Sequence, residues 1–228
     1  MVTFLSLFVA SLAYAGFDEA ESAYEKGDYV AAYEEFRSLA EQGDAEAQSE
    51  LGELYANGKG VRQDDAEAVK WLLKAAEQGV SRAQFKLGVI YSQGRGVARS
   101  PSEAVKWYRK AAEQENVDAQ YDLGELYLSG RKGMPQDYKE AAKWFRMAAD
   151  QGVVLAQYNL GAMYWDGQGV PEDLVQAYLW FSLAAAEGDS EAREYRYEVT
   201  KNMTPSQIAE AQRLTGEWKA KGQGPSVK

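Results

Sequence analysis

Apolar side chains recur along this chain at the spacing of an α-helix. Ala47, Leu51, Leu54 and Tyr55 occupy positions i, i+4, i+7 and i+8, which places them on one face of a helix. Gly58 follows that face, at the position where a left-handed residue commonly ends a helix. The pattern therefore predicts an amphipathic helix that ends at Gly58.

A second apolar face follows after a short loop. Its positions are Ala68, Trp71, Leu72, Ala75 and Ala76. The preceding segment Asp64-x-x-Glu67 has the form of a capping box, in which the first side chain accepts from a backbone N–H and the fourth reaches back. This stretch of the chain thus predicts two successive helices.

The two-helix pattern occurs four times. Tryptophans at 71, 107, 144 and 180 are separated by 36, 37 and 36 residues, and a Leu-Gly pair recurs from Leu51-Gly52 at nearly the same steps. The extra residue of the third copy falls between Gly130 and Gly133, and such tolerance of an insertion is typical of a loop. Helices of about 12 to 15 residues are too short to be stable alone in water. We therefore expect the copies to stack on one another as a solenoid.

Two repeated residues are predicted to serve packing. Gly52 and its equivalents lie in the middle of a helix, where glycine costs about 1 kcal/mol relative to alanine. Their recurrence indicates that another helix approaches too closely for a side chain. Trp71 and its equivalents are interpreted as core residues between the helices rather than as a row of ligand-binding rings.

The complete pattern, A-x-A-Q-x-x-L-G-x-x-Y-x-x-G-x-G-V…D…A-x-x-W-x-x-x-A-A-x-x-G, resembles the Sel1-like repeat family, a relative of the tetratricopeptide repeats. The resemblance covers four copies in residues 45–188, with Glu115 in place of a closing glycine and Met134 in place of a loop valine. It implies an all-α fold, a right-handed α/α superhelix of helix pairs.

The flanking segments complete the predicted organisation. Residues 16–44 resemble a tetratricopeptide-like helix pair with a tight turn at Gly27, and residues 189–220 are expected to form a half repeat and a capping helix. Thr204-Pro205-Ser206-Gln207 predicts the start of that last helix, because it combines a capping box with proline at the first helical position. Residues 221–228 are predicted to be a disordered tail.

Residues 1–15 do not fit the repeat pattern. They form an apolar run that ends in Ala13-Tyr14-Ala15, which has the small-x-small form of a signal-peptidase site. The run is shorter than the about 20 apolar residues that a spanning helix needs. We predict a signal peptide, a mature chain that begins near Gly16 and has no membrane span, and a periplasmic or secreted location.

Composition restricts the chemistry of the chain. It contains no His and no Cys, which excludes Cys/His zinc sites, disulfides and nucleophilic systems of the Ser-His-Asp or Cys-His type. The formal net charge of −10 repels phosphate groups, so nucleic acid is not an expected partner. No cofactor, metal site or catalytic residue is predicted. Gly58-Lys59-Gly60 lacks the spacing of a phosphate loop and is interpreted as a turn.

The resemblance to Sel1-like proteins implies an adaptor that binds another protein or peptide, with the first helix of each copy lining a concave surface. The candidate binding residues on that surface are Glu50, Glu53, Lys86, Tyr121, Asp122, Glu125, Tyr158, Asn159 and Trp165. Aromatic rings supply contact area and carboxylates supply selectivity. For Phe85, Tyr121 and Tyr158 the alternative is packing against the adjacent copy.

Two other functions remain open. The same surface could bind cell-wall glycan in a bacterial envelope, because aromatic and carboxylate side chains also suit sugars. A hydrolase acting through paired carboxylates is the less favoured alternative, since no pair is distinguished among the 35 acidic residues. The favoured prediction is a non-catalytic scaffold.

Overall fold

The computed structural model describes residues 16–130 and 135–220. The predicted signal peptide at 1–15 and the predicted tail at 221–228 lie outside the described residues, as does the Met134 loop position. Within the described ranges the regular secondary structure is entirely α-helical, which confirms the all-α class.

The helices follow the predicted two-helix rhythm. Their bounds are α1 (16–25), α2 (Tyr29–Glu41), α3 (Ala45–Asn57), α4 (Asp65–Glu77), α5 (Ser81–Gln93), α6 (Pro101–Glu113), α7 (Val117–Ser129), α8 (Tyr138–Asp150), α9 (Val154–Asp166), α10 (Leu174–Ala186), α11 (Ser190–Lys201) and α12 (Pro205–Ala220). The predicted helix ends are correct, since Gly58, Gly94, Gly130 and Gly167 all adopt left-handed backbone conformations.

The chain forms two compact units that divide between Gln114 and Glu115. In the N-terminal unit α3 packs on α4 and α5 on α6, and α4 also contacts α5. In the C-terminal unit α7 packs on α8 and α9 on α10, and α8 also contacts α9. Each copy is thus a helix pair, and within a unit each pair packs against the pair next to it in sequence.

The capping boxes of the repeats are only half formed. Asp64 Oδ1 accepts from the backbone N–H groups of Ala66 and Glu67 at 2.9 and 3.0 Å, as predicted. The predicted reciprocal bond, from the N–H of Asp64 to the Glu67 side chain, does not form. The backbone N–H of Asp64 donates instead to the carbonyl of Tyr55 at 3.0 Å, and Glu67 pairs with Lys70. The loop folds back far enough for this N–H to reach the end of the first helix. Equivalent bonds join Ser100 to Tyr91, Asp137 to Tyr127 and Asp173 to Tyr164.

The box at the last helix is complete. The backbone N–H of Gln207 donates to Thr204 Oγ1 at 3.3 Å, and the backbone N–H of Thr204 donates to Gln207 Oε1 at 2.9 Å. Among the residues that the structure describes, no carbonyl of a preceding helix accepts from the N–H of Thr204, so the reciprocal bond can form.

The mid-helix glycines mark close helix contacts, as predicted. A Cβ atom on Gly52 would lie 2.7 Å from Leu72 Cγ, and one on Gly124 would lie 2.5 Å from Phe145 Cδ1. Gly88 and Gly161 meet Tyr108 and Phe181 in the same way. The repeated tryptophans are core residues, with exposures of 8% for Trp71, 4% for Trp107, 3% for Trp144 and 1% for Trp180.

In the copies that begin at Ala45, Ser81 and Val154, a buried glutamine donates to a carbonyl near the end of the preceding helix. Gln48 Nε2 donates to the carbonyl of Ala40 at 3.1 Å, and Gln84 Nε2 donates to that of Ala76 at 3.1 Å. A second glutamine then donates to the buried amide oxygen, from Gln78 to Gln48 at 2.8 Å. The same bond joins Gln114 to Gln84 at 2.7 Å and Gln151 to Gln120 at 2.8 Å. These paired amides satisfy polar groups that would otherwise be costly inside the stack.

The repeat pattern stops in α11. Ala192 and Val199 are buried, at the positions that Ala156 and Met163 occupy in α9. The Leu-Gly pair that meets the second helix is absent, because Arg196-Tyr197 stand in its place. The final helix α12 instead packs on α10, with the rings of Trp180 and Trp218 6.3 Å apart.

Candidate functional site

In the N-terminal unit, four side chains of the first helices α3 and α5 form an ionic network. Glu53 Oε1 lies 2.9 Å from Lys86 Nζ and 3.7 Å from Arg82 Nε, and Arg82 also pairs with Glu50. The Glu53 side chain is only 13% exposed. Three predicted binding residues, Glu50, Glu53 and Lys86, are therefore brought together, and with Arg82 the four charges balance across two copies.

An acidic cavity of about 260 Å³ adjoins this network. Its lining residues are Glu21, Tyr24, Glu25, Phe36, Glu50 and Arg82. Burial raises the pKa of Glu50, Arg82 opposes the rise, and the negative charge of Glu53 adds to it. The cavity therefore holds a carboxylate that is partly withdrawn from water and already has a cationic partner.

In the C-terminal unit, a polar network connects α7 and α9. Asn159 Nδ2 donates to Glu125 Oε1 at 2.8 Å. Burial raises the pKa of Tyr121 to about 12, and the charges of Glu125 and Asp122 contribute to the rise. Tyr121, Asp122, Glu125 and Asn159 are thus neighbours. Since Glu125 and Asn159 occupy the same repeat positions as Glu53 and Lys86, this pairing between adjacent first helices recurs in both units.

An aromatic cluster lies beside that network. The ring of Tyr195, on α11, stacks on buried Phe181 with a centroid distance of 5.5 Å and an interplanar angle of 20°. Tyr158 and Trp165, on α9, each lie 5.7 Å from the Tyr195 ring at steep angles. Burial raises the pKa of Tyr158, and its hydrogen bond with Tyr195 and the charge of Glu191 raise it further. We call these four rings, Tyr158, Trp165, Phe181 and Tyr195, the aromatic cluster.

The first-helix aromatics pack chiefly within their own copy. Phe85, Tyr121 and Tyr158 each lie 5.8 Å from an aromatic ring of the second helix, Tyr108, Phe145 and Phe181 respectively. Packing was the alternative considered for them, but the ring they meet belongs to the same copy. Tyr158 also contacts the next copy through Tyr195. Whether Tyr121 and Tyr158 bind a partner stays a prediction.

The sequence interpretation missed Tyr195. It is 43% exposed, and the neighbouring Tyr197 is 64% exposed. Tyr195 occupies the repeat position of Lys86, Asp122 and Asn159, so an aromatic ring at an otherwise polar position was the available signal. An open surface cavity of about 610 Å³ lies here, lined by Arg193, Glu194, Tyr195, Tyr197 and Glu198.

Two further observations concern the chemistry of the described residues. Across residues 16–130 and 135–220, no group of three or more acidic side chains is arranged to hold a metal ion. None of the helices in these ranges combines the length and hydrophobicity needed to cross a bilayer.

Comparison with known proteins identifies the repeats. The Sel1 repeat model matches four consecutive segments, residues 45–80, 81–116, 117–153 and 154–189. The chain belongs to the Sel1 repeat family. No similar sequence was found among curated proteins.

Solved structures of Sel1 repeat proteins are similar to this one. A Sel1 repeat protein from Oxalobacter formigenes shares 37% identity with a TM-score of 0.75, over 80% of this chain and 74% of that one. The protective antigen c5321 of uropathogenic Escherichia coli shares 27% identity with a TM-score of 0.51, over 90% of this chain and 60% of its own. A Sel1 repeat protein from Klebsiella pneumoniae shares 25% identity with a TM-score of 0.52, over 82% of this chain and 93% of that one.

Family membership gives a general role. Sel1 repeat proteins generally mediate protein–protein interactions, and their solenoids are typically non-catalytic scaffolds. A protein partner is therefore the expected ligand of this Sel1 repeat protein.

Proposed function

We propose that this Sel1 repeat protein is an exported, non-catalytic adaptor that binds another protein or a peptide segment through its first helices. The aromatic cluster is the anchor of the proposed site, and the polar network of Tyr121, Glu125 and Asn159 flanks it. Residues 1–15, with the Ala13-Tyr14-Ala15 motif, are the basis for proposing export.

The observation that carries the proposal is the position of Tyr195. Its ring is exposed to solvent, yet it is held against buried Phe181 and beside Tyr158 and Trp165. A ring that is already fixed loses little conformational entropy on binding, and exposed tyrosines of this kind are common hot spots of interfaces.

The ionic network of the N-terminal unit is better suited to holding adjacent copies together than to binding a partner. Glu53 is bound by Lys86 and Arg82, and Glu50 by Arg82, so a partner would have to break these pairs to use the carboxylates. The Glu50 and Glu53 side chains are only 18% and 13% exposed, so losing their cationic partners would leave mostly buried carboxylates unpaired, which is costly. We therefore propose that Glu50, Glu53 and Lys86 hold adjacent copies in alignment. The partner is anchored instead by the aromatic cluster of the C-terminal unit.

Affinity purification from the native host tests the proposal. The tagged full chain and a Leu155→Ser control, which removes an exposed apolar side chain outside the aromatic cluster, are expected to retain the same protein. Tyr195→Ser is expected to lose it, with thermal unfolding used to show that the variant is folded. Retention by Tyr195→Ser at the wild-type level would refute the aromatic cluster as the anchor.

Export is tested separately by intact mass. The protein recovered from the periplasm or the medium is expected to begin near Gly16, and Ala15→Leu is expected to block processing, because the cleavage site requires small residues. Accumulation of the full-length wild-type chain in the cytoplasm would contradict export and leave the binding proposal intact.

A further inference from the structure

The rings of this protein are repeatedly covered by its own cationic side chains. Lys74 Nζ lies 3.8 Å from the ring centroid of Trp71, and Lys110 Nζ lies 4.5 Å from that of Trp107. In the C-terminal unit Arg146 lies 4.8 Å from Trp180. Lysine and arginine over an aromatic face are attracted by its negative electrostatic potential. Cation–π contacts within the chain therefore recur at these aromatic rings.

Tyr197 and Tyr195 lie on the same helix but differ in whether a cationic side chain covers the ring. Lys201 Nζ sits 4.5 Å from the ring centroid of Tyr197 and 2.6 Å from a carboxylate oxygen of Glu198. Within the part of the chain that the structure describes, no Lys or Arg lies over the ring of Tyr195.

The ring of Tyr195 is only partly covered by its neighbours. Phe181 covers the other face in a near-parallel stack, and Tyr158 and Trp165 lie at steep angles beside the ring. Because 43% of the residue is still exposed, a partner group can reach the ring, and the side turned away from Phe181 is the one on which it could stack. A planar group placed there would complete a stack of three layers.

A carboxylate near Tyr195 on α11 favours a cation at this position. Glu191 lies four residues before Tyr195 and Glu198 three residues after it, and residues at these spacings are neighbours on a helix surface. Glu191 already acts on the adjacent Tyr158. Arg193 lines the same surface cavity as Tyr195, and Glu198 is paired with Lys201. Glu191, for which the described residues supply no ion pair, is therefore the carboxylate available to an added cation.

We propose that the face of Tyr195 turned away from Phe181 receives an arginine side chain of the partner protein, with the carboxylate of Glu191 beside it. The guanidinium is planar, stacks on aromatic faces and matches carboxylates in hydrogen-bonding geometry, whereas an ammonium is a compact point charge. Arginine is therefore favoured over lysine, and the chain's net charge of −10 assists the approach of a basic segment. This inference rests on the proposed binding function and names the chemistry of its partner.

Titration with a defined peptide tests the inference. The probe is the peptide Gly-Ser-Gly-Arg-Gly-Ser, compared with the same peptide carrying citrulline, a neutral isostere, or lysine. Binding to the full chain is followed at 0.15 M salt through amide NMR shifts of α11. Arginine is expected to bind about threefold to fivefold more tightly than citrulline, the ratio that a solvent-exposed cation–π contact gives, with lysine between them.

Matched variants separate the ring from general charge attraction. Tyr195→Leu is expected to abolish the preference for arginine, while Tyr197→Leu, which alters a ring already covered by Lys201, is expected to keep it. Phenylalanine at position 195 and its mono-, di- and trifluorinated forms provide a second readout. Affinity for the arginine peptide is expected to fall stepwise with fluorination, because fluorine weakens the negative potential of the ring face.

Several results would overturn the inference. They are equal binding of the citrulline peptide, an affinity independent of fluorination, or selective binding of an N-acetylglucosamine trimer at Tyr195 without arginine binding. These failures are distinguishable from failure of the proposed function. A protein captured through Tyr195 without any arginine preference would refute the inference alone, and the absence of a captured partner would refute the proposed function.

Discussion

Gln151 donates from Nε2 to Gln120 Oε1 across 2.8 Å, and the equivalent bond is missing one copy later. Gln157 still donates to the carbonyl of Ala149 at 3.2 Å, but its amide oxygen is buried and has no hydrogen-bond partner among the described residues. Glu187 stands at the position of Gln151. An ionised carboxylate has no proton to donate, so the substitution of one residue type leaves a buried acceptor unsatisfied.

Glu187→Gln is therefore expected to stabilise the protein. Restoring the amide pair should add about 1 kcal/mol to the free energy of unfolding, measured by urea denaturation with tryptophan fluorescence. Glu172→Gln, an exposed change of the same charge, is the control and should have no effect, whereas Gln151→Glu should destabilise. Equal effects of Glu187→Gln and Glu172→Gln would show that net charge, not the hydrogen bond, is responsible.

The loop glycines predict a second contrast. Gly96 and Gly79 both have positive φ values, 68° and 98°, but a Cβ on Gly96 would lie 2.5 Å from the carbonyl oxygen of Asp65 while one on Gly79 meets nothing within 4 Å. Gly79→Ala should cost about 1 kcal/mol for the left-handed conformation. Gly96→Ala should cost about 1–3 kcal/mol more, because the loop must move away from the first turn of α4.

Urea denaturation of the two variants measures the contrast. Since both glycines lie in the N-terminal unit, the same transition reports on both. Equal losses of stability would mean that the loop relaxes freely and that the contact with Asp65 is not a constraint on the position of consecutive copies.

Much of the fold could be predicted from the sequence because each copy carries local signals. Gly58 ends its helix and Asp64 begins the next through contacts within a few residues, and four copies repeat the evidence. The reciprocal bond of Glu67 was predicted wrongly because the competing acceptor, Tyr55, belongs to the preceding helix. Local rules cannot reveal which of two acceptors the folded chain places closer.

The candidate site was harder to predict for the same reason. Glu53 and Lys86 were selected as separate surface groups, yet the fold joins them across 33 residues of sequence. The exposure of Tyr195 depends on what packs against α11 in the folded chain and on the stack with Phe181. Spacing along the chain identifies the face of a helix, but it does not identify what covers that face.

Glu115 predicts a stabilising substitution. It has a φ of 63°, in the left-handed region, and replaces the glycine that closes other copies, such as Gly188 with a φ of 100°. Glu115→Gly should raise the free energy of unfolding by about 0.5–1 kcal/mol, because relief of left-handed strain exceeds the entropy lost with glycine. A Cβ on Gly188 would meet nothing within 4 Å, so Gly188→Glu should lower the free energy of unfolding through the left-handed backbone alone. Thermal unfolding of the two variants measures both changes.

Tyr121 predicts a dependence on alkaline pH. Burial, Glu125 and Asp122 raise its pKa from the ordinary value of 10.0 to about 12 in the folded chain. Because the folded state favours the neutral phenol, this contribution to stability is complete below pH 10 and is lost as the pH rises through 12. Tyr121→Phe, which cannot ionise, should therefore show a weaker fall of unfolding free energy between pH 10 and 12.

The titration of Tyr121 can be followed directly by NMR of chains labelled with ¹³Cζ-tyrosine. Glu125→Gln removes a negative charge and is expected to lower the pKa of Tyr121, while burial keeps it above 10. Asn159→Asp places a negative charge beside the same network and is expected to raise it. A pKa of Tyr121 that is the same in both variants would mean that the phenol does not sense this network, and the polar flank proposed beside the aromatic cluster would lose its basis.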